Sequence, residues 1–315
     1  MAYRLETEER IDDAVRRIAG EQIEQAVARL PAKRTPSVEA VHEIRKRLKK
    51  TRAVLRLVRD ALGPAYQAEN AALRDIAAKL APLRDAAVVV ESFDGLRQRF
   101  RAEMRSRAFA RLRDALLERQ RAAARSVDAG RVGEVRQDLQ VLLTRIATWH
   151  IDGDPGGAVI SGSTRAYQRA RKGFRRAYRD GSPECFHEFR KAAKDCWYHT
   201  CLLEPMWRPV LKGYRTALHD IGDLVGEEHD LSVLADVLRG LEGVDANAVH
   251  TAGGLIDRRR HDLRAEVAPV AARVHADRRK AWQQRLRACW DAWRAESNRQ
   301  SLFADGPAEL EVVKV

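Results

Sequence analysis

Apolar residues recur at intervals of three and four along almost the entire chain, and this spacing restricts the fold more than any other feature of the sequence. Val41, Ile44 and Leu48 illustrate the pattern, because these positions fall on one face of an α-helix. Alternation with a period of two, which half-buried strands require, is almost absent, and the valine run at 88–90 lies within a helical pattern. The periodicity therefore predicts an all-α protein.

Prolines and a capping serine mark the predicted helix ends. The sequence predicts a first helix over 6–30, which ends at the two prolines of residues 31–36. Ser37 then has the residue type and position of an N-cap for the next helix. The last long helix is predicted over 247–298, with a kink near Pro269.

A stretch rich in glycine, proline and serine at 153–163 is the longest predicted loop. We place the boundary between two halves of the chain there. The predicted units are an N-terminal helical bundle at 1–150 and a C-terminal helical bundle at 151–303. Residues 304–315 are predicted to form a loose C-terminal tail.

The chain is strongly basic, since 58 lysine and arginine residues against 45 acidic residues give a formal charge of +13. Arginine supplies 47 of these cations, and its planar guanidinium matches phosphate oxygens. A GC-rich genome would also enrich arginine, so the argument for a polyanion depends on where the cations lie. No window approaches 18 apolar residues, which excludes a membrane-spanning helix, and four cysteines without metal-ligand spacing indicate reduced thiols in a cytoplasmic protein.

An internal repeat becomes visible when the chain is shifted by 145 residues, because about fifty positions then align without a gap. A shared His-Glu-x-Arg-Lys-x-x-Lys pattern is the most informative match, since helix composition alone does not produce it. The repeat predicts two homologous helical lobes related by a pseudo-twofold axis, with a groove between or along them. The matched residues are His42, Glu43, Arg45, Lys46 and Lys49 in the first copy, and His187, Glu188, Arg190, Lys191 and Lys194 in the second.

Cations follow the apolar positions of the helix after Ser37 by one residue, so they form a stripe beside the buried face. Like charges four residues apart repel one another, so the stripe needs either acidic neighbours or a bound polyanion. Similar stripes occur in the second copy and in the helix before it. The residues of the three stripes are His42, Arg45, Lys46, Lys49, Arg52 and Arg56; His187, Arg190, Lys191 and Lys194; and Arg165, Arg169, Lys172 and Arg176.

The segments at 41–50 and 186–194, VHEIRKRLKK and FHEFRKAAK, resemble the two signature helices of the CHAD domain, the conserved histidine α-helical domain. Residues 167–172, YQRARK, look like the family's helix before the second signature. The resemblance implies two four-helix bundles with pseudo-twofold symmetry, whose basic stripes bind inorganic polyphosphate, and association with polyphosphate granules in bacteria. The second copy departs from the first at Trp197, where the first has Arg52, so its stripe is expected to be shorter.

Two alternatives remain open at this stage. A basic surface also attracts nucleic acid, although the first stripe contains none of the aromatic residues on which single-stranded bases stack. A helical metal-dependent phosphohydrolase is suggested by His-Asp at 219–220 and Glu-Glu-His-Asp at 227–230, but the shift by 145 places arginine opposite both histidines, and arginine does not ligate metal.

The sequence therefore predicts a non-catalytic polyphosphate-binding protein that needs no cofactor and no metal. Nucleic acid is expected as a secondary ligand at most, and no membrane association is expected. Trp282, Trp290 and Trp293 are predicted to pack either in the core or in a homodimer seam. His42 and His187 are expected to strengthen binding when protonated, so that affinity falls as the pH rises past about 6.5.

Overall fold

A computed structural model of the chain describes residues 3–32 and 35–304. Within these ranges it contains eleven α-helices and one short 3-10 helix, which confirms the predicted all-α class. Of the predicted tail at 304–315, all but Ala304 lies outside the described residues. The helices are α1 (Ile11–Ala28), α2 (Val38–Leu57), α3 (Ala65–Lys79), α4 (Ala81–Arg99), α5 (Arg107–Arg125), α6 (Ala129–Ile146), α7 (Pro155–Asp180), α8 (Pro183–Leu203), the 3-10 helix Glu204–Trp207, α9 (Arg208–Arg239), α10 (Ala246–Val274) and α11 (Arg279–Ala304).

The predicted loop at 153–163 is wrong, because α7 already begins at Pro155. The side chain of Asp154 accepts a hydrogen bond from the backbone N–H of Gly157 at 2.9 Å, and Pro155 occupies the first helical position. An Asp cap followed by proline is a strong helix start, and it outweighs the low helix propensity of the glycines that follow. The actual connection between α6 and α7 is the segment at 147–154.

The predicted single helix over 247–298 is also wrong, since it consists of α10 and α11 with a break at 275–278. Pro269 lies inside α10 and does not end it. The break follows from tertiary contacts: the His275 ring is buried against the ring of Tyr167 at 5.5 Å, and its carbonyl accepts a hydrogen bond from Arg171 Nε at 3.1 Å. These contacts are long-range, so the helical periodicity of the segment did not reveal them.

Serine caps begin both helices that carry the repeated pattern. The backbone N–H of Ala40 donates to Ser37 Oγ at 3.1 Å, which confirms the predicted N-cap. Ser182 occupies the same place before α8 and accepts from the N–H of Cys185 at 3.4 Å. Gly181, which ends α7, has a φ of +78°, a left-handed conformation that favours glycine, so α7 and α8 can be joined by a very short turn.

Replacing Ser37 with alanine should lower the free energy of unfolding by about 1 kcal/mol, because the cap satisfies a backbone N–H at the helix end. Ser106 provides a matched control, since it precedes α5 without a capping hydrogen bond from its side chain. Urea denaturation of the two alanine variants measures the difference. An equal effect of Ser37→Ala and Ser106→Ala would show that the Ser37 hydroxyl does not act as a cap.

The main hydrophobic core joins residues from both halves of the chain. Leu48 of α2, Phe189 of α8 and Leu218 of α9 belong to one buried cluster, together with Trp282, Trp290 and Trp293 of α11. A second buried cluster is formed by α4, α5, α9 and α10. The packing brings α2 against both α7 and α8, and α4 against α9. The stripe-bearing helices of the two halves are therefore neighbours.

The element bounds agree with the shift of 145 residues seen in the sequence. The shift carries α2 onto α8 to within one residue at each end, and it carries α3 and most of α4 onto the continuous helix α9. Common ancestry of the halves, the two-bundle symmetry and the domain boundaries at 150 and 303 stay predictions. None of the described helices contains an apolar stretch of the length that would span a bilayer.

Candidate functional site

Lys49 marks the place where the stripes of α2 and α8 meet. Lys49 is an exposed residue, yet its pKa falls to about 8. Desolvation by the surrounding protein is the main cause, and repulsion from Arg190 and Arg45 adds to it. The surface around Lys49 is where the two stripes converge, and we call it the basic groove, after the groove that the sequence predicts; its centre is formed by Arg45, Lys49, Arg190 and Lys194, whose charges act on one another.

Arg45 and Arg52, from the first stripe, are fixed by polar groups of α3. Arg45 Nη1 donates to the carbonyl oxygen of Ala77 at 2.8 Å, and Arg52 Nε donates to Asn70 Oδ1 at 3.0 Å. Burial lowers the pKa of both guanidinium groups, although arginine stays protonated at neutral pH. Both cations are thus held in place by neutral acceptors; Arg45 also lies near Asp85, whereas Arg52 has no carboxylate within 4 Å in the described part of the chain.

Lys194, from the second stripe, lies across a glycine of α9. A Cβ atom at Gly222 would lie 2.7 Å from Lys194 Cε, so only glycine allows the lysine to lie so close to the helix. Lys194 Nζ reaches Asp223 Oδ1 at 2.9 Å. Arg190 lies beside the same helix, and its Nε is buried without a hydrogen-bond partner among the described residues. A buried guanidinium donor without a partner is a group that an anion in the groove could satisfy.

The signature histidines lie at corresponding positions but have different neighbours. His187 Nδ1 is 3.2 Å from Nδ1 of His229 on α9, so at least one of the two rings is neutral. The shift by 145 places Arg84 of α4 at the position of His229, and Arg84 lies near His42. The expectation of an ordinary histidine pKa was wrong, because burial and the nearby cations lower the pKa of His42 and His187 and bring that of His229 to about 4.

Carboxylates compensate about half of the predicted site. Asp195 is buried between α2 and α7 and accepts from Arg56 at 2.7 Å and from Arg169 at 3.1 Å. Several other partners are exposed, and exposed ion pairs contribute little and are screened by salt. The predicted residues with a carboxylate within 4 Å are Arg45, Lys46, Arg56, Arg165, Arg169, Lys191 and Lys194.

The other half of the predicted residues have no carboxylate within 4 Å in the described part of the chain. Five of them lie on α2 or α8. The two on α7 are exposed. This set consists of His42, Lys49, Arg52, Lys172, Arg176, His187 and Arg190. The groove therefore retains a cationic excess after its internal ion pairs are counted.

Helices α4 and α9 also contribute to the groove, although none of the predicted site residues lies on them. Asp230 of α9 lies among Arg190, Arg84 and Lys49, whose charges oppose the rise in its pKa that burial causes. Asp85 of α4 lies 3.6 Å from Arg45. The shift by 145 aligns Asp85 with Asp230, so the sequence contained the signal, but it did not show that both carboxylates would lie in the groove.

The residues that suggested a metal-dependent hydrolase have other contacts. Glu228 is buried and accepts hydrogen bonds from Arg260 and Arg264, at 2.9 Å and 2.6 Å. His229 faces His187, and His219 Nδ1 lies 3.0 Å from Asp223. Across residues 3–32 and 35–304, no group of three or more His, Cys, Asp or Glu side chains is arranged to hold a metal ion.

Comparison with known proteins gives a family assignment. The family model described as the CHAD domain matches residues 17–239. Among solved structures, the crystal structure of the CHAD domain from the plant Ricinus communis is similar, with a TM-score of 0.64 and 22% identity over 88% of this chain and 96% of that chain. A search of curated proteins found no match. The family model covers well over half of the chain and both stripe-bearing helices of the groove, and the protein belongs to the CHAD domain family.

Proposed function

We propose that this protein binds inorganic polyphosphate along the basic groove and does so without chemical turnover. The observation that carries the proposal is the meeting of the α2 and α8 stripes at Lys49, whose pKa is lowered partly by cations from both helices. Membership of the CHAD family, which is associated with polyphosphate binding, supports the same ligand. Binding sites for long polyanions need an extended set of cations, and the convergence of two helices provides one.

The groove chemistry suits a chain of phosphates. Each internal phosphate carries about one negative charge and two non-bridging oxygens, which arginine can contact with two parallel N–H donors. Lys49 would add a point charge, and the unpartnered Nε of Arg190 would gain an acceptor. Much of the binding free energy should come from release of condensed counterions, so affinity should fall steeply with salt.

The proposal includes a cellular role. A protein that binds long polyphosphate at its surface would remain with granules of this polymer in the cytoplasm and could organise them. A fluorescent fusion should co-localise with stained polyphosphate granules, and a fusion with Lys49→Gln and Arg190→Gln should disperse. Equal granule association of both fusions would show that localisation does not depend on the groove.

Competition distinguishes polyphosphate from nucleic acid as the principal ligand. Labelled long-chain polyphosphate should be displaced by unlabelled polyphosphate at a phosphate concentration at least tenfold below that of single-stranded DNA. The preference follows because the stripes of α2 and α8 combine closely spaced cations with few stacking surfaces. Equal or better displacement by DNA would favour nucleic-acid binding.

Neutral variants test the location of the site. Lys49→Gln combined with Arg190→Gln should weaken polyphosphate binding at least tenfold at 0.15 M salt and reduce the steepness of its salt dependence, since two phosphate contacts are lost. Arg111→Gln combined with Arg119→Gln is the control, because it removes the same charge from the exposed face of α5. If both pairs weaken binding equally, net charge rather than the groove determines the affinity.

A further inference from the structure

Six arginines crowd one side of the groove, where the C-terminal end of α2 meets α7 and α3. Lysine does not contribute to this group, so every charge in it is carried by a planar guanidinium. We call them the arginine cluster: Arg52, Arg56, Arg59, Arg74, Arg165 and Arg169.

Two aspartates hold part of the cluster together. Asp195 accepts from Arg56 and Arg169, as described above, and thereby joins α2 to α7. Asp60 pairs with Arg165 and lies 3.2 Å from Arg59. The two carboxylates orient four guanidinium groups but offset only two of their charges.

Arg52 and Arg74 are the members that form no ion pair with a described residue. Neither has a carboxylate within 4 Å in the described part of the chain, and the hydrogen-bond acceptor of Arg52 is the neutral Asn70. Burial, followed by repulsion from Arg56, lowers the pKa of Arg52; Asp195 opposes this shift at longer range, and Arg74 adds to the repulsion. The cluster thus concentrates positive charge at a place where the protein itself provides too few anions.

The cluster is not repeated at the positions that the shift by 145 relates to it. The shift by 145 that aligns the groove centre places a different residue type opposite every one of the six arginines. In order, the counterparts are Trp197, Cys201, Glu204, His219, Gly20 and Glu24. The centre of the groove is therefore repeated in both halves, whereas its cationic flank exists on one side only. A groove with only one strongly cationic side is asymmetric, so the two ends of a bound linear chain would have different surroundings.

We infer that the arginine cluster is a subsite for the terminal phosphate group of a linear polyphosphate chain, an inference that rests on the proposed function. A terminal phosphate has three non-bridging oxygens and a second ionisation near pH 6, so it carries up to two charges, as a phosphate monoester does. An internal phosphate has two such oxygens and one charge. The cluster supplies the higher positive charge and the several two-pronged guanidinium donors that bind a chain end. The rest of the chain then passes over Lys49 and Arg190.

The test compares two linear polyphosphate samples of equal length, one with free ends and one whose ends are capped as alkyl esters that keep a single charge. At pH 8 the wild-type protein should bind the free-ended chain about tenfold more tightly. Arg52→Gln combined with Arg74→Gln should abolish this preference while weakening binding of the capped chain less than threefold. Lys49→Gln should weaken both chains by the same factor.

The Arg111→Gln and Arg119→Gln control should keep the preference for free ends. The preference should also shrink at pH 5, where the terminal phosphate loses its second charge. Equal binding of both chains by the wild type, or equal weakening of both by the cluster variant, would overturn the subsite and leave the proposed function intact. A wild type that binds neither chain would contradict the proposed function itself. Circular dichroism checks folding, and Arg74→Gln alone, at an exposed position, replaces the double variant if that variant does not fold.

Discussion

Raising the pH from 7 to 9.5 should weaken polyphosphate binding roughly 30-fold, and Lys49→Arg should remove most of this dependence. The pKa of Lys49 is about 8 in the free protein, because burial and the nearby cations disfavour its charged form. A bound polyanion would favour the charged form and return the pKa towards the ordinary lysine value. Affinity is therefore highest below pH 8 and falls as the pH rises between these two values.

Isothermal titration calorimetry at a fixed ionic strength measures both consequences. Affinity gives the pH profile, and titrations in buffers of different ionisation enthalpy give the protons taken up on binding. Near pH 9 the wild type should take up close to one proton, whereas Lys49→Arg should take up far less because arginine is already charged. Lys172→Arg, on the exposed face of α7, is the control for exchanging a lysine for an arginine. Proton uptake that survives in Lys49→Arg would exclude Lys49 as its source.

The acidic side of the profile differs from the expectation based on the sequence. A histidine of ordinary pKa would lose its contribution as the pH passes about 6.5. Burial and nearby cations instead lower the pKa of His42 and His187, so both imidazoles are mostly neutral at pH 7. They can still donate one hydrogen bond to phosphate, and a gain from protonation is expected only at a pH below the range in which an ordinary histidine titrates. The sequence identified the residues, but their protonation depends mainly on burial, and for His42 also on Arg84 of α4, which folding brings close.

Local patterns account for what the sequence could predict. The α2 helix, its Ser37 cap and the cationic stripe beside its buried face all follow from neighbouring residues, and the structure confirms the helix and the cap. The repeated pattern identified α8 for the same reason. Periodicity and capping are properties of a few consecutive residues, so they are readable before folding.

Tertiary geometry accounts for the features that the sequence could not predict. The proximity of Lys49 to Arg190 depends on how α2 packs on α8, and no local pattern encodes that packing. Asp195 follows Lys194 directly in the chain, but only the structure shows that it is buried and joins Arg56 to Arg169. The same limit explains the missed break at 275–278, whose cause is the burial of His275 against α7.

Gly162→Ala should lower the free energy of unfolding by about 3 kcal/mol or more, because α2 ends against the backbone of α7 at this glycine. A Cβ atom there would overlap the carbonyl oxygen of Leu57 and lie 2.6 Å from its carbonyl carbon. Both atoms belong to the backbone of the last residue of α2, so no side-chain rotation can relieve the overlap. The two helices would have to separate, and Arg56 and Arg169, which share Asp195 across this contact, would move apart.

Thermal and urea denaturation measure the effect, and a loss of about 3 kcal/mol corresponds to a fall in Tm of roughly 4–5 °C for a chain of this size. Gly20→Ala is the matched control, because Gly20 lies within α1 and a Cβ there meets no atom within 4 Å. Alanine at that position should stabilise the protein by up to about 1 kcal/mol, since it has the higher helix propensity. A Gly162→Ala variant as stable as the wild type would mean that α2 and α7 can move apart at no cost. In that case the contact at Gly162 would not be what holds the arginine cluster together.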